Sequence, residues 1–174
     1  IKCAELTRTG VGLPAYYNDE VIIPALMSRG VTLADAREYG IIGCVEPQKP
    51  FKTDGWHDAA FFNMCRPLEL VFSNGVDKGA QISIKTGDVE DMTTFEEFYN
   101  AYKAQETYMI GLMVNAINAI DTAHSERVPL PFLSCMVEDC VKEGKTVQEG
   151  GAHYNFTGPQ GFGIANMADG LWAV

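Results

Sequence analysis

The sequence predicts an α/β fold, and three observations predict it. A short helix signal opened by Thr32 and stopped by Gly40 runs straight into the apolar, β-prone run Ile41-Ile42-Gly43-Cys44-Val45. A second strand-then-helix signature follows at VPLPFLSCM, residues 128–136. Between them a helical pattern runs from Thr94 to about His124, long for a globular helix and suited to the outer layer of a large barrel or sheet.

Residues 11–30 read as a loop and then a short helix, capped by Asn18 or Asp19, with Pro24 in its first turns and Gly30 at its end. The next helix, TLADAREYG, starts at Thr32, and Asp35 stands where a capping box places its acid. IIGCV is short, apolar and bounded by Gly and Pro, as a buried strand is, and Pro47 stops it from continuing. A helix capped by Asp58 is expected over AAFFNMCRPLELVFSNG, kinked at Pro67 and ended by Asn74-Gly75. Residues 76–92 read as an exposed loop rich in Gly, Lys and Asp. Thr94-Phe95-Glu96-Glu97 is a capping box for the long helix, and Phe98, Tyr102, Met109, Met113, Ala116, Ile117 and Ile120 keep helical spacing along it. The strand at VPLP leads to a helix capped at Ser134 and stopped at Gly144. The tail, GGAHYNFTGPQGFGIANMADGLWAV, is a glycine-rich loop entering an apolar helix.

The chain has 174 residues, 47% of them apolar, which places it among globular proteins. It opens on IKCAELTRTG without a methionine and closes on an apolar pattern with no capping signal, so an internal fragment of a longer protein is expected. Thirteen basic against 23 acidic residues give a formal charge of −10. Phosphate binding needs clustered positive charge, so nucleic acid is not an expected partner. No apolar stretch approaches the roughly 20 residues of a membrane helix, and the dispersed acidity points to a cytoplasmic protein. Five scattered cysteines, Cys3, Cys44, Cys65, Cys135 and Cys140, form neither a disulfide framework nor a zinc pattern.

Chemistry concentrates at Cys44 and Glu46. Alternate residues of an extended segment share a face, so a thiol and a carboxylate point the same way. Burial and a neighbouring carboxylate both disfavour a thiolate, which suits a sulfur that works uncharged, by hydrogen-atom transfer. Core packing is the other reading of a buried cysteine, and these two residues alone leave both open. A cysteine hydrolase built on Cys44 and His57 would need the thiolate that Glu46 opposes. Asp58 is either a helix N-cap or a ligand for hydroxyl groups, and His57 beside it a hydrogen-bonded loop histidine or a second substrate contact.

GCVEPQ, followed by GWHDAAFFN and later by GGAHYNFTGPQGFGIAN, closely resembles the glycyl radical enzymes of the pyruvate formate-lyase-like family, in their eliminase branch. The resemblance runs over essentially all 174 residues. It implies part of a ten-stranded α/β barrel in which a cysteine loop meets a second loop that carries a glycyl radical. That second loop lies in a separate glycyl radical domain, absent from this sequence. Cys44 then forms a thiyl radical and takes hydrogen from a substrate carbon. Glu46 is the general base, and Asp58 with His57 binds substrate hydroxyls. A single cysteine between Gly43 and Val45 departs from the paired cysteines of pyruvate formate-lyase itself and favours elimination over C–C cleavage.

The resemblance thus implies dehydration of glycerol or propane-1,2-diol to an aldehyde. Choline trimethylamine-lyase and isethionate sulfite-lyase activities are alternatives by the same mechanism, and an inactive fragment or structural pseudoenzyme segment is an alternative of another class. No bound cofactor is expected within these residues. The radical is installed by a partner, an S-adenosylmethionine and iron–sulfur activase, and the whole enzyme is expected to be a homodimer in an anaerobic cytoplasm.

The remaining features are weaker. GGAHYNFTGPQGFG lacks the frame of a phosphate loop. The three histidines never reach metal-ligand spacing with one another or with a cysteine. Phe61, Phe62 and Trp172 read as core, as do Cys135 and Cys140.

Overall fold

A computed structural model describes residues 1–174. It divides into two compact units, residues 1–53 and 54–174.

In the first unit, a short helix at Lys2–Thr7 and a loop precede the helix Asp19–Ser28. Its cap is Asn18, whose side-chain oxygen accepts the amide of Glu20 at 3.0 Å. Thr32 caps the helix Leu33–Ala36 through the amide of Asp35 at 3.2 Å. The following segment differs from expectation. IIGCV is not one strand but the first arm and turn of a hairpin, β1 at Gly40–Ile42 and β2 at Glu46–Gln48. The arms are antiparallel, with Ile41 opposite Pro47 and Ile42 opposite Glu46. Gly43, at φ +60°, reverses the chain after Ile42. Pro47 is no stop signal here, because a two-stranded ribbon is all edge and tolerates a residue without an N–H.

The second unit carries the parallel pairing of an α/β fold. The strand Ala60–Asn63 pairs in parallel with Pro159–Phe162, in the register Ala60↔Pro159 to Asn63↔Phe162. Such a pairing needs a crossover, and the intervening chain supplies it with helices. The Asp58-capped helix over AAFFN is therefore corrected to a strand, and the helix starts only at Cys65, running to Phe72. Aromatic Phe61 and Phe62 favour the strand. Asn63 takes the capping part, accepting the amide of Cys65 at 3.0 Å. Pro67 is the third helical residue, in the turn whose N–H groups lack helical partners, so it opens the helix instead of kinking it.

The long helix runs from Phe95 to Arg127. Thr94 and Glu97 form the capping box, with Glu97 Oε2 accepting the amides of Thr93 at 2.8 Å and Thr94 at 3.0 Å. Its buried face, Phe98, Ala101 and Tyr102, packs on Leu68 and Val71, and Met167 and Leu171 lie against the same cluster. The 76–92 segment is less exposed than its composition suggests. Gln105, fully buried on the helix, accepts the Ser83 hydroxyl and donates to Ile84 O at 2.8 Å and Thr86 Oγ1 at 3.3 Å.

The strand expected at VPLP is absent. Pro131 instead begins a one-turn helix, Pro131–Ser134, where its missing N–H costs nothing. Ser134 ends that helix and caps no other; its Oγ donates to Leu130 O at 2.7 Å and accepts the amide of Val147 at 3.0 Å. Gly144 does stop the next turn of helix, Cys140–Glu143. Cys140 is buried with Val147 and Ala152, whereas Cys135 is exposed. The last helix spans Ile164–Trp172. Phe61 (66% exposed) and Trp172 (92%) are not core residues in this structure, and Phe62 is half-buried. No helix is long and apolar enough to cross a membrane.

Candidate active site

Cys44 occupies the middle of the three-residue turn Gly43-Cys44-Val45 and is exposed. Glu46, the first residue of β2, is buried and folds its side chain back under the turn. Its Oε2 accepts the amides of both Cys44 and Val45, each at 2.8 Å. The two groups are thus brought together as expected, but by a turn and not by strand alternation. Gly43 completes the arrangement. A Cβ at that position would lie 2.9 Å from Glu46 Oε2, on a backbone already in the left-handed region.

A third residue belongs to this turn. The hydroxyl of Tyr17 donates to the Cys44 carbonyl at 2.6 Å. Sequence reasoning missed it, since a tyrosine 27 residues upstream in AYYND carries no signal of that contact.

Asp58 and His57 belong to the second unit. Asp58 is exposed in the turn before the strand Ala60–Asn63, and Gln160, on the paired strand, donates its amide to Asp58 Oδ1. His57 is half-buried. Segments 54–58 and 156–160 run close together, with Phe156 N donating to Asp54 O at 2.9 Å and Gly158 N to Trp56 O at 3.2 Å. Gly158 permits this, because a Cβ there would sit 3.0 Å from the His57 backbone. Asp54 is a further titratable group beside His57. Burial pushes its carboxyl up and the Asp121 carboxylate adds to this, while the Trp56 amide and His57 oppose it. Gln160 and Asp54 were also missed; Gln160 lies 102 residues from its partner.

His153 accounts for the other polar cluster. Its Nδ1 lies 2.6 Å from Asp139 Oδ2, and this contact, with Lys142 adding, holds the Asp139 carboxyl below its usual range. Glu138 stands beside the pair, so that three ligand-type atoms fall within 4.8 Å of one another. Spacing against histidines and cysteines alone could not reveal this grouping, because its other members are carboxylates.

A thiol at an exposed turn, with a carboxylate one peptide away, suits hydrogen-atom exchange with a radical carried on another segment. The pyruvate formate lyase-like family model matches residues 1–174, and the chain belongs to that family. A structure described for 1,2-propanediol dehydration in Roseburia inulinivorans is 70% identical, with a TM-score of 0.91 over 98% of this chain and 22% of that one. The glycerol-bound B12-independent glycerol dehydratase from Clostridium butyricum is 64% identical, with a TM-score of 0.92 over 99% of this chain and 22% of that one. The (2S)-3-sulfopropanediol dehydratase of Klebsiella oxytoca is 39% identical over 176 residues, all of this chain and 21% of the relative. The chain spans about a fifth of the length of these relatives.

Proposed function

We propose that the full-length protein is a glycyl radical lyase that dehydrates glycerol or propane-1,2-diol to an aldehyde, and that these residues are part of its barrel. The observation that carries this reading is the Glu46 carboxylate held against the Cys44 peptide, which places a base beside an exposed thiol. The similarity to the propanediol and glycerol structures supports a diol as the substrate.

Cys44 gives its hydrogen atom to a glycyl radical outside these residues, which supplies the unpaired electron. The Cys44 thiyl then takes the hydrogen from C1 of the diol, re-forming the S–H bond and leaving the unpaired electron on C1. Glu46 accepts the C1 hydroxyl proton as the C2–O bond breaks. The proton gained at Glu46 equals the one that the departing hydroxide requires, so the net loss is water. The product radical at C2 recovers a hydrogen atom from Cys44, giving the aldehyde. Asp58, oriented by Gln160, and His57 bind the substrate hydroxyls. The homodimer, the S-adenosylmethionine and iron–sulfur activase and the anaerobic cytoplasm belong to the same proposal.

The test is the activated full-length protein incubated in parallel with glycerol, propane-1,2-diol, choline and isethionate. An aldehyde from a diol, lost in Cys44→Ala and Glu46→Gln, is the expected result. Acetaldehyde from choline or isethionate alone would keep the radical mechanism and overturn the role given to Asp58. No product from any of the four, with the radical present, would refute the substrate class.

A further inference from the structure

We infer that Tyr17 is a positioning residue for the Cys44 thiol, holding the peptide that follows it while Glu46 holds the same peptide from the other side. The inference rests on the elimination reading for its catalytic consequence, but not for its geometry.

The direction of a Cα–Cβ bond is set by the two peptide planes that flank the Cα, because each plane is rigid. At Cys44 both planes are tied. The Gly43–Cys44 plane is held through its N–H, which donates to Glu46 Oε2 at 2.8 Å. The Cys44–Val45 plane is held at both ends, its N–H on the same Glu46 oxygen at 2.8 Å and its C=O on the Tyr17 hydroxyl at 2.6 Å. With φ and ψ fixed, only χ1 remains to aim the sulfur.

Tyr17 is itself well placed to act as an anchor. It immediately precedes Asn18, the cap of the helix Asp19–Ser28. The first residue of that helix is tied to the hairpin stem as well, since Tyr39, the residue before β1, donates its hydroxyl to Asp19 Oδ1 at 2.7 Å. One helix start therefore grips the stem of the hairpin through Tyr39 and its tip through Tyr17. The tip contact matters most when Glu46 carries a proton. A neutral carboxyl is a weaker acceptor for the two amides, and the tyrosine bond then restrains the Cys44–Val45 plane by itself.

The test uses the full-length protein carrying Tyr17→Phe, with Tyr16→Phe as the control, since Tyr16 contacts Thr7 and not the turn. In the unactivated protein, deuterium uptake at the peptide spanning 41–48 is expected to rise about tenfold in rate in Tyr17→Phe. Uptake over the helix 19–28 is expected to stay unchanged. In the activated protein, kcat on the diol is expected to fall about tenfold, with KM and radical yield per protomer unchanged. Unchanged exchange at 41–48 would overturn the proposal. So would faster exchange spread over residues 19–28, which would make Tyr17 an ordinary packing residue. Absence of aldehyde from the unsubstituted protein would sink the elimination reading and leave the exchange result to judge the anchor.

Discussion

The Cys44 turn and the Asp58 segment lie fourteen residues apart in sequence, yet they are built by opposite means. The turn is made almost entirely at short range. Glu46 reaches one and two residues back, and only Tyr17 comes from further away. Asp58 is placed by long-range structure, through a parallel strand pair and a glutamine 102 residues distant. A local device forms wherever its few residues occur together, so the hydrogen-abstracting thiol and its base travel as one short motif. A substrate contact that depends on two distant strands can shift when either strand changes.

This contrast predicts different failures. Glu46→Gln keeps an oxygen that can accept the turn amides but removes the base, so kcat should fall about 10²–10⁴-fold while deuterium uptake at 41–48 changes little. A large rise in uptake would show that the carboxylate is chiefly structural. Gln160→Leu should act on the distant site alone, raising KM for the diol about tenfold with kcat nearly preserved. An equal loss in kcat would mean that the strand pair reaches the chemistry. Gly43→Ala, forced into the left-handed region against the Glu46 carboxylate, should cost roughly 1–2 kcal/mol of local stability, seen as faster exchange confined to the hairpin.

Away from both sites, Gln105→Leu strands the buried Ser83 hydroxyl and should lower the thermal midpoint by an amount equivalent to about 1–3 kcal/mol. The smallest effect concerns pH. The Thr93 and Thr94 amides and hydroxyls hold the Glu97 carboxyl below its ordinary value. Its contribution to the helix start is therefore complete above the usual carboxylate range and is lost as pH falls through the lowered value. Glu97→Gln should remove that acid dependence, read as the pH at which helicity near residue 97 declines.

Legibility in the sequence followed the same division. The caps at Asn18 and Thr32, the capping box at Thr94 and the Gly144 stop were readable because each involves residues two to four apart or one glycine. The pairing of Cys44 with Glu46 was readable too, although strand alternation was the wrong reason, since Gly43 turns the chain. The strands 60–63 and 159–162 were not readable. Each is four residues long and is stabilised by the other across almost a hundred residues. The apolar run around them looks helical when read alone. Tyr17, Gln160 and Asp54 escaped for the same reason, as polar groups whose partners come from other elements.

The most direct test of the central claim is the rate of aldehyde formation from propane-1,2-diol deuterated at C1, in the activated full-length protein and in Cys44→Ala with its radical confirmed. If Cys44 takes the C1 hydrogen, deuteration slows the reaction and the alanine variant gives no aldehyde. Aldehyde from the alanine variant at an undiminished rate would place the abstraction elsewhere and contradict the account.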